Sequence, residues 1–389
     1  MNTVAQYLSK HAREYGIWIA LVLIVLLFQV LTDGLLLKPN NVASLIQQNA
    51  YVMILAIGMV MVIVAGHIDL SVGSIVAFVG GITAIMMDSW GLPWYLAVLG
   101  ALVAGAVIGS WQGFWVAYVG IPAFIVTLAG MLIFRGLAIV IVGTTVAGLP
   151  RPFVNISNGS LPNAFGFVGN LDVVTLVIGA VGVAGLVWSQ LRTRSAAIKH
   201  GVTVDSAGIF WGKIALIAAF ALYLTFLLAN SAGGTPIVLV IVGVLILVYT
   251  FVLGRTVFGR HIYAIGGNLN SAILSGVDTR KTNFMIFVNM GVLAGVAAVV
   301  TTSRAGAAVA AAGVNYELDA IAACFIGGTA VTGGIGKISG AMIGALIMGV
   351  LNMGLSIMAV DAAWQQSIKG LVLLLAVALD LIAKRRSGR

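Results

Sequence analysis

Apolar windows long enough to cross a lipid bilayer follow one another along the whole chain, and they constrain its fold more than any other feature. A transmembrane helix needs about 20 such residues. The windows lie at roughly 17–36, 50–65, 71–87, 94–118, 122–142, 173–190, 209–229, 236–253, 283–302, 317–332, 339–358 and 364–383. Only 8% of the 389 residues are charged and 61% are hydrophobic, whereas soluble domains carry about 25% charged residues. The sequence therefore excludes a soluble protein and predicts an all-α, polytopic transmembrane bundle of about twelve spans.

The apolar stretch from 50 to 87 has one polar interruption, at 66–71, which reads GHIDLS. As a single helix this stretch would be about 57 Å long, far beyond a hydrocarbon core of about 30 Å. The chain must therefore break at 66–71. A tight turn and a break within the membrane both fit the sequence.

Lys and Arg predict the orientation, because cytoplasmic loops carry an excess of both. With a cytoplasmic N-terminus and twelve crossings, only Lys38, Arg151 and Arg304 face outward. The inner side receives Lys10, Arg13, Arg192, Arg194, Lys199, Lys213, Arg255, Arg260, Arg280, Lys281, Lys337, Lys384, Arg385, Arg386 and Arg389. Both termini are therefore predicted in the cytoplasm, and this topology explains the net charge of +9 without nucleic-acid binding.

The chain is interpreted as a single transmembrane domain, 1–389, with two distinct segments. The inner loop 191–208 connects two windows that could be removed without changing the orientation of any other, so we interpret 172–230 as an inserted helical hairpin. The inner loop 254–282 carries most of the charge in the middle of the sequence.

Small residues recur at four-residue spacing in Ala101-Gly105-Gly109, Gly291-Gly295 and Gly340-Gly344. This spacing lets helix backbones approach closely where lipid provides no hydrophobic drive for association. Tight structural packing is the favoured interpretation, and helices that slide past one another are the alternative.

Motifs for covalent chemistry are absent from the sequence. The nearest match to a phosphate-binding loop, 331–338, begins with Val331 where Gly is needed and ends in Ile338 where a hydroxyl is needed. The four histidines are scattered along the chain, and Cys324 is the single cysteine, so no metal cluster is visible. We expect no catalytic residue, metal or cofactor in this chain, and therefore no enzyme.

Acidic residues within the apolar windows are candidates for a transport pathway, because ionisable groups are costly there. Asp69 lies at the break and could instead cap the next helix. Glu317 and Asp319 open the window at 317–332. For these two the structural alternative is favourable placement at a helix N-terminus, with Arg304 as a possible partner.

Two basic residues also lie within the windows. Arg135 could pair with a carboxylate or line a pathway, and the sequence does not decide between these roles. Lys369 lies one turn into the last window, where a long side chain can extend to the membrane surface, and we interpret it in that way.

Uncharged polar residues within the windows suit a neutral solute. The pathway candidates of this kind are Asn49, Gln112, Thr127 and Asn352. Trp111 lies beside Gln112, and an aromatic face next to an amide could bind a sugar ring. The alternative for Trp111 is an anchor at the bilayer interface.

The loop 254–282 contains two short apolar sets, Ile262-Tyr263-Ile265 and Ile273-Leu274, on either side of a turn at Gly266-Gly267-Asn268 that we predict to be flexible. Two short helices joined by glycines would form a protrusion that fits a groove in another protein. An interfacial helix lying on lipid is the alternative.

Five segments resemble the permease subunits of bacterial ATP-binding-cassette monosaccharide importers of the ribose/xylose class. They are FGRHIYAIGGNLNSAILSG (258–276), GHIDLSVGS (66–74), IPAFIVTLAGMLIFRGL (121–137), ELDAIAACFIGGT (317–329) and WQQSIKGLVLLLAVALD (364–380). The extra hairpin departs from the ribose type and resembles the longer xylose-type and multiple-monosaccharide permeases. The resemblance implies a ten-helix core with one added hairpin.

The resemblance also implies a set of partners and a location. It implies a permease homodimer in the bacterial inner membrane, a separate ATPase subunit that binds ATP and Mg, and a secreted sugar-binding protein that meets outer loops containing Arg151 and Arg304. Coupling to the ATPase is implied for Gly259, Arg260, Tyr263, Gly266, Gly267 and Asn268.

The sequence and the resemblance together predict inward transport of a monosaccharide by alternating access, driven by ATP hydrolysis on a partner. Xylose-like pentoses and hexoses both remain open as the substrate. The alternative is an ion-coupled secondary sugar transporter that relies on Asp69, Asp319 or Arg135. A structural membrane subunit without transport is a third hypothesis.

Overall fold

The structure is a computed structural model that describes residues 12–201, 204 and 206–386; Lys10 and Arg389, used above for orientation, lie outside this range. The α-helices are α1 (Ala12–Leu31), α2 (Pro39–Val64), α3 (Val72–Asp88), α4 (Trp94–Phe114), α5 (Ala123–Val142), α6 (Arg151–Asn158), α7 (Val173–Lys199), α8 (Ala207–Ala229), α9 (Ile237–Arg255), α10 (Val257–Gly267), α11 (Leu269–Leu274), α12 (Thr279–Ala305), α13 (Tyr316–Ile326), α14 (Ile338–Ile357) and α15 (Ala362–Arg386). A π-helical segment, Trp115–Val119, extends α4. The strands are β1 (Thr145–Ala147), β2 (Phe167–Val168), β3 (Leu171–Asp172) and β4 (Ala307–Val309).

Helices dominate the described part of the chain, as expected for a polytopic membrane protein. Eight of them are long and apolar enough to cross a membrane: α2, α4 with its π-helical extension, α5, α7, α8, α9, α12 and α14. Two shorter apolar helices lie at Gly16–Leu31 and Val72–Asp88. The polytopic helical fold is confirmed, and the count of twelve spans stays a prediction.

Each predicted window contains a helix, and two helices begin or end far from the predicted boundary. The second helix begins at Pro39 rather than at residue 50, because the amide-rich turn 47–49 lowers the hydropathy without interrupting the helix. The window 317–332 contains only the 11-residue α13. An irregular segment follows, with Gly328, Gly333 and Gly334 at positive φ, so the predicted helix ends six residues early.

The chain divides into two compact units, and the larger comprises residues 1–36, 45–158 and 238–389. In this unit α4 packs on α12 through the predicted small-residue motifs. A Cβ atom on Gly105 would lie 2.2 Å from the carbonyl oxygen of Gly291. On Gly109 it would lie 2.3 Å from that of Phe287. This confirms the tight-packing interpretation at these positions.

The third motif packs α14 on α13. A Cβ atom on Gly340 would lie 2.1 Å from the Gly327 carbonyl oxygen, and one on Gly344 would lie 2.0 Å from that of Ala323. Elsewhere in this unit β1 pairs antiparallel with β4, with Val146 opposite Ala308. The pairing joins the segment after α5 to the one after α12.

The smaller unit comprises residues 37–44 and 159–237. Its helices α7 and α8 pack on each other, and Gly179 lies directly against Thr225. Asp172 caps α7, since its Oδ2 accepts hydrogen bonds from the backbone N–H of Thr175 (2.8 Å) and from the Thr175 hydroxyl (2.5 Å). These two helices correspond to the hairpin predicted at 172–230, and its status as an insertion stays a prediction.

Candidate substrate pathway and coupling surface

The break between α2 and α3 is held by a buried network around Asp69. The chain turns at Gly66, whose φ of 87° suits glycine. Asp69, only 1% exposed, accepts hydrogen bonds at Oδ1 from the backbone N–H of Ser71 (2.8 Å) and from the Ser71 hydroxyl (2.6 Å). The Ser71 hydroxyl in turn accepts one from Nε2 of Gln112 at 2.7 Å. Asp69 thus fixes the backbone of Ser71, the N-cap residue of α3, but neither side chain accepts a hydrogen bond from an amide of the helix itself, so the capping interpretation is not confirmed.

Thr127 belongs to the same region of the fold. Its hydroxyl donates to the Ala123 carbonyl oxygen at 2.9 Å and lies 3.3 Å from that of Ile68. Asp69, Gln112 and Thr127 come from three separate sequence windows, and the fold brings them together at the break. Backbone groups in apolar surroundings need hydrogen-bond partners. At the break, Asp69 provides a partner for the N–H of Ser71, and Thr127 lies close to the carbonyl oxygen of Ile68.

Trp111 does not join this network. Its side chain is 39% exposed and packs edge-to-face on Phe134 at 6.0 Å, whereas Gln112 points into the buried break. The structure therefore does not form the continuous aromatic and amide surface that the sequence suggested. An exposed aromatic ring fits the interface-anchor interpretation.

Arg135 contacts the irregular segment that precedes α13. Its Nη1 donates to the carbonyl oxygens of Ala310 (3.0 Å) and Ala312 (2.7 Å). It also attracts Glu317 electrostatically. Glu317 is buried against Gly73, where an added Cβ would lie 2.3 Å from Oε2 of the acid. Arg135 thus satisfies two main-chain carbonyls within an apolar bundle.

Arg304 is not the partner of Glu317 or Asp319, so that expectation is wrong. Its guanidinium donates to the side-chain oxygen of Asn158. The reason lies in the chain path, since Arg304 ends α12 beside α6 and strand β4 separates it from α13.

Asp319 lies in a second buried cluster. Its Oδ2 accepts a hydrogen bond from the Tyr51 hydroxyl at 2.7 Å, and the Nζ of Lys369 lies 3.3 Å from Oδ1. Tyr51 also stacks on Tyr316, with ring centroids 3.6 Å apart. Lys369 therefore turns inward to an ion pair instead of extending to the membrane surface, which corrects the interpretation made from its position.

Asn49 and Asn352 form a direct pair between α2 and α14. The Nδ2 of Asn352 donates to Oδ1 of Asn49 at 3.0 Å, and the Nδ2 of Asn49 donates to the Leu45 carbonyl oxygen, also at 3.0 Å. The two amides link helices that are far apart in sequence, which is a stabilising role.

The residues for which the resemblance implies coupling to an ATPase lie on α10 and directly after it. Thr256 caps α10 by accepting from the backbone N–H of Gly259 at 3.2 Å. A Cβ on Gly259 would lie 2.3 Å from the Leu253 carbonyl oxygen, so only glycine fits the sharp corner with α9. Tyr263 donates from its hydroxyl to the carbonyl oxygen of Gly336 at 2.6 Å. Burial raises the pKa of Tyr263, which keeps the phenol protonated as the donor.

Gly266 lies against main chain, not in a flexible turn as predicted. A Cβ there would lie 1.6 Å from the Val64 carbonyl oxygen, which also accepts from the backbone N–H of Gly334 at 2.8 Å. Residues 64, 266 and 333–336 form what we call the backbone joint. A Cβ on Gly267, by contrast, would project into open space, although the main chain of Gly267 also lies beside Gly334. The link between α10 and α11 is the single extended residue Asn268, whose Oδ1 accepts from the Ser271 N–H at 2.9 Å.

The two apolar sets of this loop face opposite environments. Ile262 and Ile265 are buried, whereas Ile273 is exposed and Leu274 is 88% exposed. Arg260 is exposed as well. The protrusion available to another molecule is therefore α11, and α10 fixes it to the rest of the chain.

Sequence reasoning missed Tyr51, Tyr316 and the inward role of Lys369. Tyr51 has the only visible signal, a hydroxyl within a long apolar run. Its partner Asp319 is 268 residues away, a separation at which spacing carries no information.

Apolar helices, polar groups buried between them and a short helical protrusion held by main-chain contacts are the features of a polytopic membrane permease. Residues 41–377 match the family described as "Branched-chain amino acid transport system / permease component", and the chain belongs to this family. The family recognised from the five sequence segments is thereby confirmed.

Individual relatives are similar over nearly their whole length. The xylose transport system permease protein XylH of Escherichia coli is 43% identical over 95% of this chain and 91% of its own. The protein of the same name from Haemophilus influenzae is 40% identical over 97% and 98%. The ribose import permease protein RbsC of Escherichia coli is 32% identical over 93% and 92%. No solved structure matches the chain.

Proposed function

We propose that this chain is the permease subunit of an ATP-driven importer that moves a monosaccharide inward, and that xylose is its substrate. One observation carries the proposal, namely the 43% identity to a xylose permease over 95% of the chain. Relatives named for allose and ribose are 32% identical. Membership in a family of transport-system permease components favours this function over an ion-coupled secondary transporter.

The proposed assembly contains two copies of this chain, an ATPase subunit that binds ATP and Mg, and a periplasmic sugar-binding protein. We place it in the bacterial inner membrane with twelve crossings and both termini in the cytoplasm. The distribution of Lys and Arg between the predicted loops supports this orientation.

Coupling in this proposal runs through α11, α10 and the backbone joint. The exposed side chains of α11 dock on the ATPase. Movement of α10 reaches the segment 333–336 because Gly266 and Gly334 meet at the Val64 carbonyl oxygen with no side chain between them. That segment connects α13, which carries Asp319, to α14. The ATPase therefore biases two arrangements of the same helices.

The test of the transport function is uptake of labelled xylose into proteoliposomes that contain the permease, its ATPase and its binding protein. Uptake should require internal ATP and stop with an ATPase variant that binds but does not hydrolyse it. A protonophore should leave uptake unchanged. Uptake that persists without ATP and collapses with the protonophore would instead identify a secondary transporter.

The test of coupling compares two adjacent glycines. Gly266→Val places a side chain against the Val64 carbonyl and should abolish uptake, whereas Gly267→Val projects into open space and serves as the control. In complexes that assemble normally, ATP hydrolysis should lose its stimulation by sugar-loaded binding protein only in Gly266→Val. Equal behaviour of the two variants would contradict a coupling role for the joint.

A further inference from the structure

A cavity of about 250 Å³ lies beside the Asp319–Lys369 ion pair. Polar side chains line part of it, namely Asn315, Asp319, Gln366 and Lys369. Met348 and Leu373 contribute apolar surface. The α15 residues that line it, 366, 369, 370 and 373, repeat at helical spacing, so one face of α15 is directed to the cavity.

The Asp319–Lys369 ion pair favours polar contents in this cavity. Ionised side chains within apolar helices face a protein interior or a water-filled space and not lipid tails, and the Lys369 side chain is 23% exposed here. Asn315 is half-buried and Gln366 is exposed, and neither side-chain amide forms a hydrogen bond with another described residue. Asn315 occupies the N-cap position of α13 without capping it, so its amide is available to a ligand.

The chemistry of the lining fits a neutral, polyhydroxylated molecule. Each sugar hydroxyl both donates and accepts hydrogen bonds. Lys369 only donates, the Asp319 carboxylate only accepts, and the two amides do both. Because the charges of Asp319 and Lys369 cancel, the site offers no net attraction to an anion such as a phospholipid headgroup. Met348 and Leu373 present apolar surface that suits the C–H face of a sugar ring.

We propose that this cavity is a monosaccharide subsite of the transport pathway, with Gln366 and Asn315 as its recognition residues. The inference rests on the proposed function and adds the location and chemistry of a site. The pair of Asp319 and Lys369 supplies one hydrogen-bond acceptor and one donor. Tyr51, which does not line the cavity, holds the Asp319 carboxylate in place through its hydrogen bond.

The first experiment measures solvent access with a single introduced thiol. Cys324, the chain's only cysteine, is replaced by alanine, and Gln366→Cys is compared with Leu371→Cys, which is 59% exposed on another face of α15. The complete complex is placed in lipid nanodiscs and treated with a charged methanethiosulfonate. The thiol at 366 should react about tenfold faster than that at 371, because a thiolate forms in water and not in lipid.

Protection by substrate distinguishes a sugar site from a water-filled gap. Xylose at about twice its dissociation constant should slow the reaction at 366 about threefold, and sucrose should not. No reaction at 366, as a lipid or a second permease copy covering the cavity would give, overturns the proposal. Reaction without protection by xylose overturns it as well, provided that the same complex still transports xylose.

A second variant keeps the test informative if the cysteine variants fail to assemble. Gln366→Leu preserves the side-chain volume and removes both hydrogen-bonding groups. It should raise the KM for xylose uptake about tenfold and leave the ATP-dependence of residual uptake intact. An unchanged KM would contradict the subsite, whereas absence of xylose uptake in the parent complex would contradict the proposed function itself.

Discussion

Asp69 and Asp319 are both buried carboxylates among apolar helices, and they differ in where their hydrogen-bond partners come from. From this difference we expect a structural role for Asp69 and a role in transport for Asp319. Asp69 accepts hydrogen bonds within its own turn, from the amide and hydroxyl of Ser71 to Oδ1, while its Oδ2 is buried without a partner among the described residues. Asp319 is held by side chains from two distant helices, Tyr51 and Lys369, and lies beside a cavity. A carboxylate bound locally fixes the path of the chain, whereas one bound between helices can change partners when the helices move.

The largest expected effect is on the local network at the break. Asp69→Ala removes the acceptor for both Ser71 donors and leaves them unpaired in the interior. It should destabilise the protein by about 3 kcal/mol, because it removes two hydrogen bonds and leaves both Ser71 donors buried and unsatisfied. The melting temperature of the purified permease and its amount in the membrane measure this effect.

The control at this position is Asp69→Asn, which keeps a carbonyl oxygen as an acceptor and should lose less than half as much stability. If Asp69→Ala melts like the parent but transports poorly, the comparison fails, and Asp69 belongs to the pathway.

An intermediate effect is expected at the ion pair. Lys369→Met leaves Asp319 with the Tyr51 hydroxyl alone and should cost about 2 kcal/mol, less than a fully buried pair because Lys369 is partly exposed. Uptake should fall about tenfold, more than this loss of stability alone explains. Melting and uptake are measured on the same reconstituted sample.

The double variant Lys369→Met with Asp319→Asn removes the unpaired charge. It should recover stability, because a neutral amide is cheaper to bury than a carboxylate, while uptake stays low. Recovery of both properties together would show that the pair is structural, as Asp69 is.

The smallest effect is expected for Tyr51→Phe, which removes one hydrogen bond to Asp319 and keeps the stacking on Tyr316. The loss should be about 1 to 2 kcal/mol, as is typical of a hydrogen bond to a charged group. Tyr95→Phe makes the same chemical change at an exposed position and should stay within about 0.5 kcal/mol. Equal melting temperatures for both variants would show that the hydrogen bond from Tyr51 to Asp319 does not stabilise the protein.

Much of the fold could be predicted from hydropathy, because a lipid bilayer imposes the same length requirement on every span. The position of the break beside Asp69 could also be predicted, since the polar interruption at 66–71 is visible in the sequence. The pairing of β1 with β4 and the contact of Tyr51 with Asp319 could not, because both join segments more than 100 residues apart.

Gly266 and Gly267 show a second limit of the sequence. Glycine serves where a chain must bend and also where two backbones touch, and the letters are identical in the two cases. Only the structure shows that a side chain at position 266 would collide with the main chain of Val64, whereas one at position 267 would project into open space. For the same reason the sequence predicted a flexible turn at Gly266, where the structure has a contact between two segments of main chain.

The single-residue link at Asn268 makes α11 a separable part. Of its six residues, Leu269–Leu274, only Ala272 is buried, whereas α10 holds the buried Ile262 and Ile265. If α11 docks on the ATPase as proposed, exchanging this short helix between related permeases would change which ATPase each one accepts without altering the sugar it selects. Hybrid importers could thus be made by exchanging the segment Leu269–Leu274 alone.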